Sequence, residues 1–272
     1  ISYRALKSEA DVHKPLDLNL KSKNWPEKPD IKFKNVYMKY RDELDHVITN
    51  FSVDIKAGET VGIIGRSGAG KSTIFQMLFR MFEIDKSTPE LQNSEIQIDG
   101  VDIQELGLHF LRNAISIIPQ TPMIFMGTIR TNLDPFNKHS DEELWDVLKE
   151  VGLRKVVKNL EKQLDTPVSN DSNIFSVGEK QLVCLARAIL RKSKILVLDE
   201  ATANVDFVTD FFIKKKITEN FEGCTILTIA HRLSTIANYD KVLVLSQGQL
   251  VEFGVPFELL VRDVNDTEIT RK

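Results

Sequence analysis

Four short stretches of the chain are almost wholly apolar: TVGIIG (60–65), AISIIP (114–119), KILVLDE (194–200) and CTILTIAH (224–231). Unbroken runs of this length suit strands covered on both faces in a parallel sheet, where no alternation is required. Between them, residues 71–82, 177–192 and 205–221 read as helices, so strands and helices succeed one another as a βαβ architecture requires. The opening differs. IKFKNVYMKY (31–40) alternates, HVITNFSVDI (46–55) continues in the same β-rich style, and AGE (57–59) supplies a turn, which together predict an antiparallel, half-exposed sheet. KVLVLSQGQLVEF (241–253) reads as a hairpin turning at Gln247-Gly248.

Residues from about 121 to 193 predict a helical block inserted between two of the buried strands, with amphipathic segments at 141–150 and 153–164. ELQNSEIQIDG (90–100) reads as a polar loop after the first helix. Residues 1–30 are polar, with Pro15, Pro26 and Pro29, and read as a linker; 261–272 form a C-terminal tail. The expected fold class is α/β. A mainly parallel sheet core carries an N-terminal antiparallel β subdomain and an inserted α-helical subdomain, all within residues 31–260.

Composition narrows the function classes. With 272 residues, 42% hydrophobic and 28% charged, the chain is ordinary globular material for one large or two small domains. A net charge of −3 leaves no electrostatic footprint for nucleic acid, and Lys214-Lys215-Lys216 reads as the solvated face of a helix. Cys184 and Cys224 lie in apolar runs without a CxxC pattern, which predicts buried thiols in a reducing compartment. No window approaches the roughly 20 apolar residues of a membrane-spanning helix, so no membrane insertion by this chain is expected. No signal peptide is visible, and a start at Ile1 suggests a piece of a longer protein.

GRSGAGKST (65–73) fits G-x-x-x-x-G-K-[ST] in its required setting, after a buried strand and opening a helix. Gly65, Arg66, Ser67, Gly68, Ala69, Gly70, Lys71, Ser72 and Thr73 form this P-loop, whose backbone amides close around phosphates. Lys71 would reach the β- and γ-phosphates and the Ser72 hydroxyl would ligate Mg²⁺. ILVLDE (195–200) ends a buried strand in two acids, whose side chains point to opposite faces. Alone, such a pair is more often a turn with solvated carboxylates. Beside a P-loop, Asp199 is placed to help hold Mg²⁺ and Glu200 to orient or deprotonate the attacking water.

Gln120 and His231 also follow predicted parallel strands. Either alone would be read as structural. The P-loop, Gln120, Asp199-Glu200 and His231 all fall at carboxyl ends of strands, the edge where open α/β sheets bind ligands. A second anion-ready element stands elsewhere. Ser176-Val177-Gly178-Glu179 has the form of a capping box opening a helix, with a glycine beside it.

The ordered set GRSGAGKST, Gln120, FSVGEKQ, ILVLDEAT, ANVD (203–206) and IAHRLST (229–235) resembles the nucleotide-binding cassette of ABC transporters, a P-loop NTPase of RecA-like fold. The resemblance runs from about Ile31 to FELL (257–260). GTIRTNLDPF (127–136), DEELWDVL and QLVCLARAIL narrow it to the second, C-terminal cassette of subfamily C, the multidrug-resistance-associated type. It implies an ATPase driving an exporter from the cytoplasmic face of a membrane. ATP and Mg²⁺ would be bound, and the partners would be a first cassette and the transmembrane domains of the same transporter.

By the same resemblance Tyr40 stacks on adenine, Gln120 contacts Mg²⁺ and water, His231 contacts the γ-phosphate and Asp206 communicates across a cassette dimer. Locally, Tyr40 is equally a strand aromatic packing on the core. SVGEK matches the signature motif, so Ser176 and Gly178 would face the partner's nucleotide. Phe175 stands where the family has leucine, Glu179-Lys180 where Gln-Arg is common, and the loop at 84–95 is several residues longer than in most relatives. Subfamily C also includes a chloride channel and sulfonylurea receptors, so a gating or regulatory module is the rival reading. A soluble ABC ATPase working on DNA or ribosomes is a third, against which the acidic net charge argues.

Overall fold

The computed structural model describes residues 12–169, 174–200, 205–230 and 236–259. From the N-terminus, α1 (Pro15–Ser22) leads to β1 (Ile31–Met38), β2 (Ile48–Ile55), β3 (Thr60–Gly65) and α2 (Lys71–Leu78). β4 (Glu95–Ile98), β5 (Val101–Asp102), α3 (Leu108–Ala114) and β6 (Ile115–Ile118) follow. The inserted block holds β7 (Gly127–Thr128), α4 (Ile129–Leu133), α5 (Asp141–Glu150), α6 (Arg154–Lys158), β8 (Pro167–Val168) and α7 (Val177–Arg191). β9 (Ile195–Asp199), α8 (Phe207–Asn220), β10 (Thr225–Ile229), β11 (Lys241–Ser246) and β12 (Gln249–Gly254) complete the described chain.

Two main sheets result. The first, ordered β2-β1-β4-β5, is antiparallel, as the alternation in β1 predicts. The second, ordered β12-β11-β3-β10-β9-β6, is parallel throughout except for the terminal β11–β12 hairpin. Ile229 stands level with both Ile63 and Asp199, and Leu245 with Gly65, so the carboxyl ends of β3, β9, β10 and β11 form one edge. The mixed architecture agrees with the expected fold class.

The apolar runs are explained by two cores sharing one wall. Ile195 and Val197 of β9 join Phe33, Phe51 and Leu78 in the core between the sheets. Leu196 and Leu198 of the same strand join Leu144, Leu148 and Leu185 beneath the helical block. A strand with a core on each face has no position to give to solvent. The helix α5 opens with a capping box: the Glu143 amide donates to Ser140 Oγ at 3.3 Å and the Ser140 amide to Glu143 Oε2 at 2.9 Å.

Three segments depart from their sequence reading. Residues 90–100, expected as loop, contain β4, which pairs with β1 and buries Ile96 and Ile98; four residues are too few for a clear alternation signal. α2 stops at Leu78, not 82, because Arg80 turns into left-handed backbone (φ 48°) and sends its guanidinium to the carbonyls of Ile103 and Leu106 at 3.0 and 2.8 Å. α6 spans only Arg154–Lys158 of the expected 153–164.

The polar arm before β1 is also docked. Buried Asp17 accepts from the amides of Gly107 at 2.9 Å and Lys14 at 2.8 Å, and Trp25 stacks on Phe110. Gly107 and Phe110 lie about a third of the chain away, so local pattern does not reveal them.

Cys184 is buried and Cys224 half-buried, both free thiols; burial raises the pKa of each. The lysine run is less solvated than expected, since Lys214 pairs with Asp210 and Lys216 with Glu150 and Glu219.

Candidate functional site

The turn between β3 and α2 is shaped by what a side chain would strike. A Cβ at Gly65 would lie 2.3 Å from the Leu245 carbonyl oxygen, and one at Gly70 would lie 2.7 Å from Ile48 Cδ1. Gly70 also caps α2 in left-handed backbone (φ 100°), without any side chain closing the helix start. The loop is moored at its back, where the Gly248 amide donates to the Ala69 carbonyl at 3.0 Å and the Thr49 amide to the Gly248 carbonyl at 3.0 Å.

Lys71, only 8% exposed, sends Nζ to the carbonyls of Gly65 at 2.9 Å and Arg66 at 3.1 Å, so its charge lies inside the loop. Arg66, Ser67, Gly68 and Ser72 face outward. Uncapped helix amides around a held ammonium suit a polyphosphate.

At the neighbouring strand ends, β9 closes on Asp199, and Glu200 follows in left-handed backbone (φ 47°) with its amide bonded to the Ile229 carbonyl at 3.3 Å. Nine other described non-glycine residues share such a φ, so conformation alone does not mark the position. The side-chain bond does: Gln120 Nε2 donates to Glu200 Oε2 at 2.8 Å. The two residues, 80 apart in sequence, meet at the edge where the P-loop opens. The Ala230 amide bonds to the Ile63 carbonyl at 3.2 Å, leading the chain there too; His231 itself lies outside the described residues.

Among the described residues no group of three or more His, Cys, Asp or Glu side chains is placed to hold a metal. The oxygen donors Ser72, Gln120 and Asp199 would fit Mg²⁺, which keeps waters and phosphate oxygens in its shell rather than filling a protein cage.

Tyr40 stands outside the core, beside α2. Its hydroxyl meets Thr73 Oγ1 and Gln76 Oε1, both at 2.9 Å, and its ring packs edge-on against Phe82 with centroids 4.8 Å apart.

The second anion-ready element lies at the starts of α7 and α8. Ser176 Oγ accepts the Glu179 amide at 3.3 Å while Glu179 Oε2 accepts the Ser176 amide at 2.8 Å, completing the predicted capping box. Phe175 is buried in the core of the helical block. A Cβ on Gly178 would touch Thr209, whose amide and hydroxyl bond to Asp206 at 3.0 and 2.7 Å. The Thr209 amide, then its hydroxyl, holds the Asp206 carboxyl below its ordinary pKa. Among the described residues, Ser176 and Asp206 make no hydrogen bond to the P-loop.

Two residues that sequence reading missed hold this arrangement. Buried Gln181 donates to the Pro119 carbonyl at 2.9 Å, tying α7 to the loop that carries Gln120. Arg187 donates to the carbonyls of Asn132 at 2.5 Å and Met123 at 2.6 Å and lies over the Phe125 ring. A cation on the apolar side of α7 was the available signal. Beside these residues opens a cavity of about 910 Å³, lined among others by Ile117, Pro119, Met123, Phe125 and Phe136.

Comparison with known proteins shows the family. The family model described as "ABC transporter" matches residues 48–203. ATP-binding cassette sub-family C member 2 of Rattus norvegicus is 49% identical over 237 residues, which is 87% of this chain and 15% of that protein. ATP-binding cassette sub-family C member 4 of Homo sapiens is 51% identical over 236 residues, 87% of this chain and 17% of that protein. A probable multidrug resistance-associated protein of Drosophila melanogaster, lethal(2)03659, is 47% identical over 264 residues, 96% of this chain and 19% of that protein. Among solved structures, a bacterial Atm1-family ABC exporter with ATP bound superposes with a TM-score of 0.78 at 36% identity, covering 87% of this chain and 40% of that one. The chain therefore spans under a fifth of the length of these curated relatives.

Proposed function

The chain belongs to the ABC transporter family, and we propose that it is the ATP-binding and ATP-hydrolysing second cassette of a subfamily C exporter. The observation that supports this reading is the Gln120–Glu200 bond beside the P-loop, at the carboxyl ends of the strands.

In this reading the loop amides and Lys71 bind the triphosphate and Tyr40 stacks on adenine. Ser72, Gln120 and Asp199 would hold Mg²⁺, which when bound would supply positive charge beside the phosphate oxygens. Glu200 receives the proton of the attacking water, while Gln120 and His231 orient the reacting groups. The protein's contribution is positioning and charge stabilisation more than covalent chemistry.

Ser176 and Gly178 serve a different nucleotide, held by the P-loop of a partner cassette, and Asp206 lies beside them at the same face. ATP thus brings two cassettes together and hydrolysis separates them. Transport in this reading is completed by the transmembrane domains of the same transporter; among the described residues no helix is long and apolar enough to cross a membrane.

Glu200→Gln keeps the shape and the bond to Gln120 but removes the base. ATP turnover by the full-length protein should fall by at least about a hundredfold while ATP binding persists. Transport should fall with it. Turnover that survives the substitution refutes the base; flux that opens with ATP binding alone refutes the exporter in favour of a gated channel.

A further inference from the structure

Outside the catalytic edge, Asp85 is a buried carboxylate with several partners. Asp85 follows α2 in the long connection before β4, and its side chain is 5% exposed. Its amide donates to the Tyr37 carbonyl at 2.7 Å, fixing it against the end of β1. Oδ1 accepts the Ser87 amide at 2.9 Å, while Oδ2 meets His46 Nε2 at 2.8 Å and Lys39 Nζ at 3.4 Å. Burial works against ionisation here, yet the bonds from Ser87, His46 and Lys39 win and hold the carboxyl well below the usual carboxylate range. It is a charged anchor at neutral pH.

What it anchors is informative. Lys39 and His46 are the two ends of the connection between β1 and β2, closed at its base by the Val47 amide bonding to the Met38 carbonyl at 2.8 Å. His46 also stands edge-on to Tyr37, centroids 5.5 Å apart. Tyr40 lies within that connection, one residue from Lys39. One oxygen of one carboxylate thus grips both ends of the loop that presents Tyr40.

We propose that Asp85 is a positioning residue for nucleotide-base recognition: by clamping Lys39 and His46 it holds the Tyr40 ring ready to stack on the base. The proposal rests on the adenine-stacking role of Tyr40. A loop fixed before binding loses little entropy when the base arrives, whereas a loose loop must be ordered at the cost of affinity. The effect should fall on the base more than on the phosphates: the P-loop has its own mooring, from the Gly248 amide to the Ala69 carbonyl, and the Tyr40 loop reaches it through the Tyr40 hydroxyl on Thr73. That separation makes the role testable.

The measurement is calorimetric titration of the 272-residue chain with ATP and with inorganic triphosphate, both with Mg²⁺. Asp85→Ala should weaken ATP binding by about tenfold, on the scale of one lost base–aromatic stack, and leave triphosphate binding within about twofold. Asp85→Asn should fall between, since it keeps an acceptor without the charge. In a Tyr40→Leu background Asp85→Ala should cause no further loss, because the ring it positions is gone.

Equal losses for ATP and triphosphate would show a merely structural residue and overturn the proposal. So would an undiminished loss in the Tyr40→Leu background. ATP affinity lowered by Tyr40→Leu but untouched by Asp85→Ala would sink the clamp and spare the stacking role. ATP affinity unchanged in Tyr40→Leu would sink both. If Asp85→Ala does not fold, His46→Ala releases the clamp from its exposed end, and the same split between ATP and triphosphate decides.

Discussion

Helices α2 and α7 both begin beside a glycine, and each offers amides to an anion, yet they are finished differently. α2 starts from Gly70 with no side-chain cap and with the Lys71 ammonium drawn into the loop before it. α7 starts from Ser176, whose hydroxyl and amide are both engaged with Glu179, and its exposed first turn includes Val177. An uncapped helix start with a cation inside it offers both amides and charge to a phosphate. A self-capped start is stable alone and can serve an anion only when something brings one to it. The difference supports the proposal that α2 serves this chain's own nucleotide and that α7 is held out to another's.

Lys71→Met should break the comparison most severely. Removing the charge-assisted bonds should weaken ATP binding to the isolated chain by about a hundredfold, read by calorimetry. Ser176→Arg should sharpen it. ATP affinity of the isolated chain should stay within about twofold, while turnover in an assembled pair of cassettes falls by about tenfold or more. A loss of binding in the isolated chain would return the α7 start to its own site.

The smallest effect concerns the acid beside α7. The folded chain holds Asp206 below its ordinary pKa of 3.8, so its contribution to stability is full above that pH and is lost as acid protonates the folded carboxylate. Asp206→Ala should therefore lower the urea midpoint at pH 7, and the gap from the parent chain should close as the pH falls below 3.8. A gap that stayed constant would assign the effect to something other than the charge.

The parts of the fold that were legible in the sequence are those whose environment is uniform along the segment. Double burial writes β3, β9 and β10 as unbroken apolar runs. β4 was missed because it offers only Ile96 and Ile98 to read, and the docking of the arm was missed because the amide that holds Asp17 belongs to Gly107. The site divides on the same line. The P-loop and the strand-end acids announce themselves locally, since phosphate chemistry constrains consecutive residues. The tie from Gln181 to Pro119 crosses 62 residues and the grip of Asp85 on His46 crosses 39, and no local pattern encodes either.

The strand β9 supplies side chains to both cores in turn. Sliding it by a single residue would send Leu196 and Leu198 into the packing meant for Ile195 and Val197, and the reverse, so both faces would reject the slip together. Each face acts as an independent proofreader of the same alignment. The beneficiary is Asp199, whose place along the edge is set by the strand's register. Two layers of grease keep the proposed magnesium ligand from being one residue out of place.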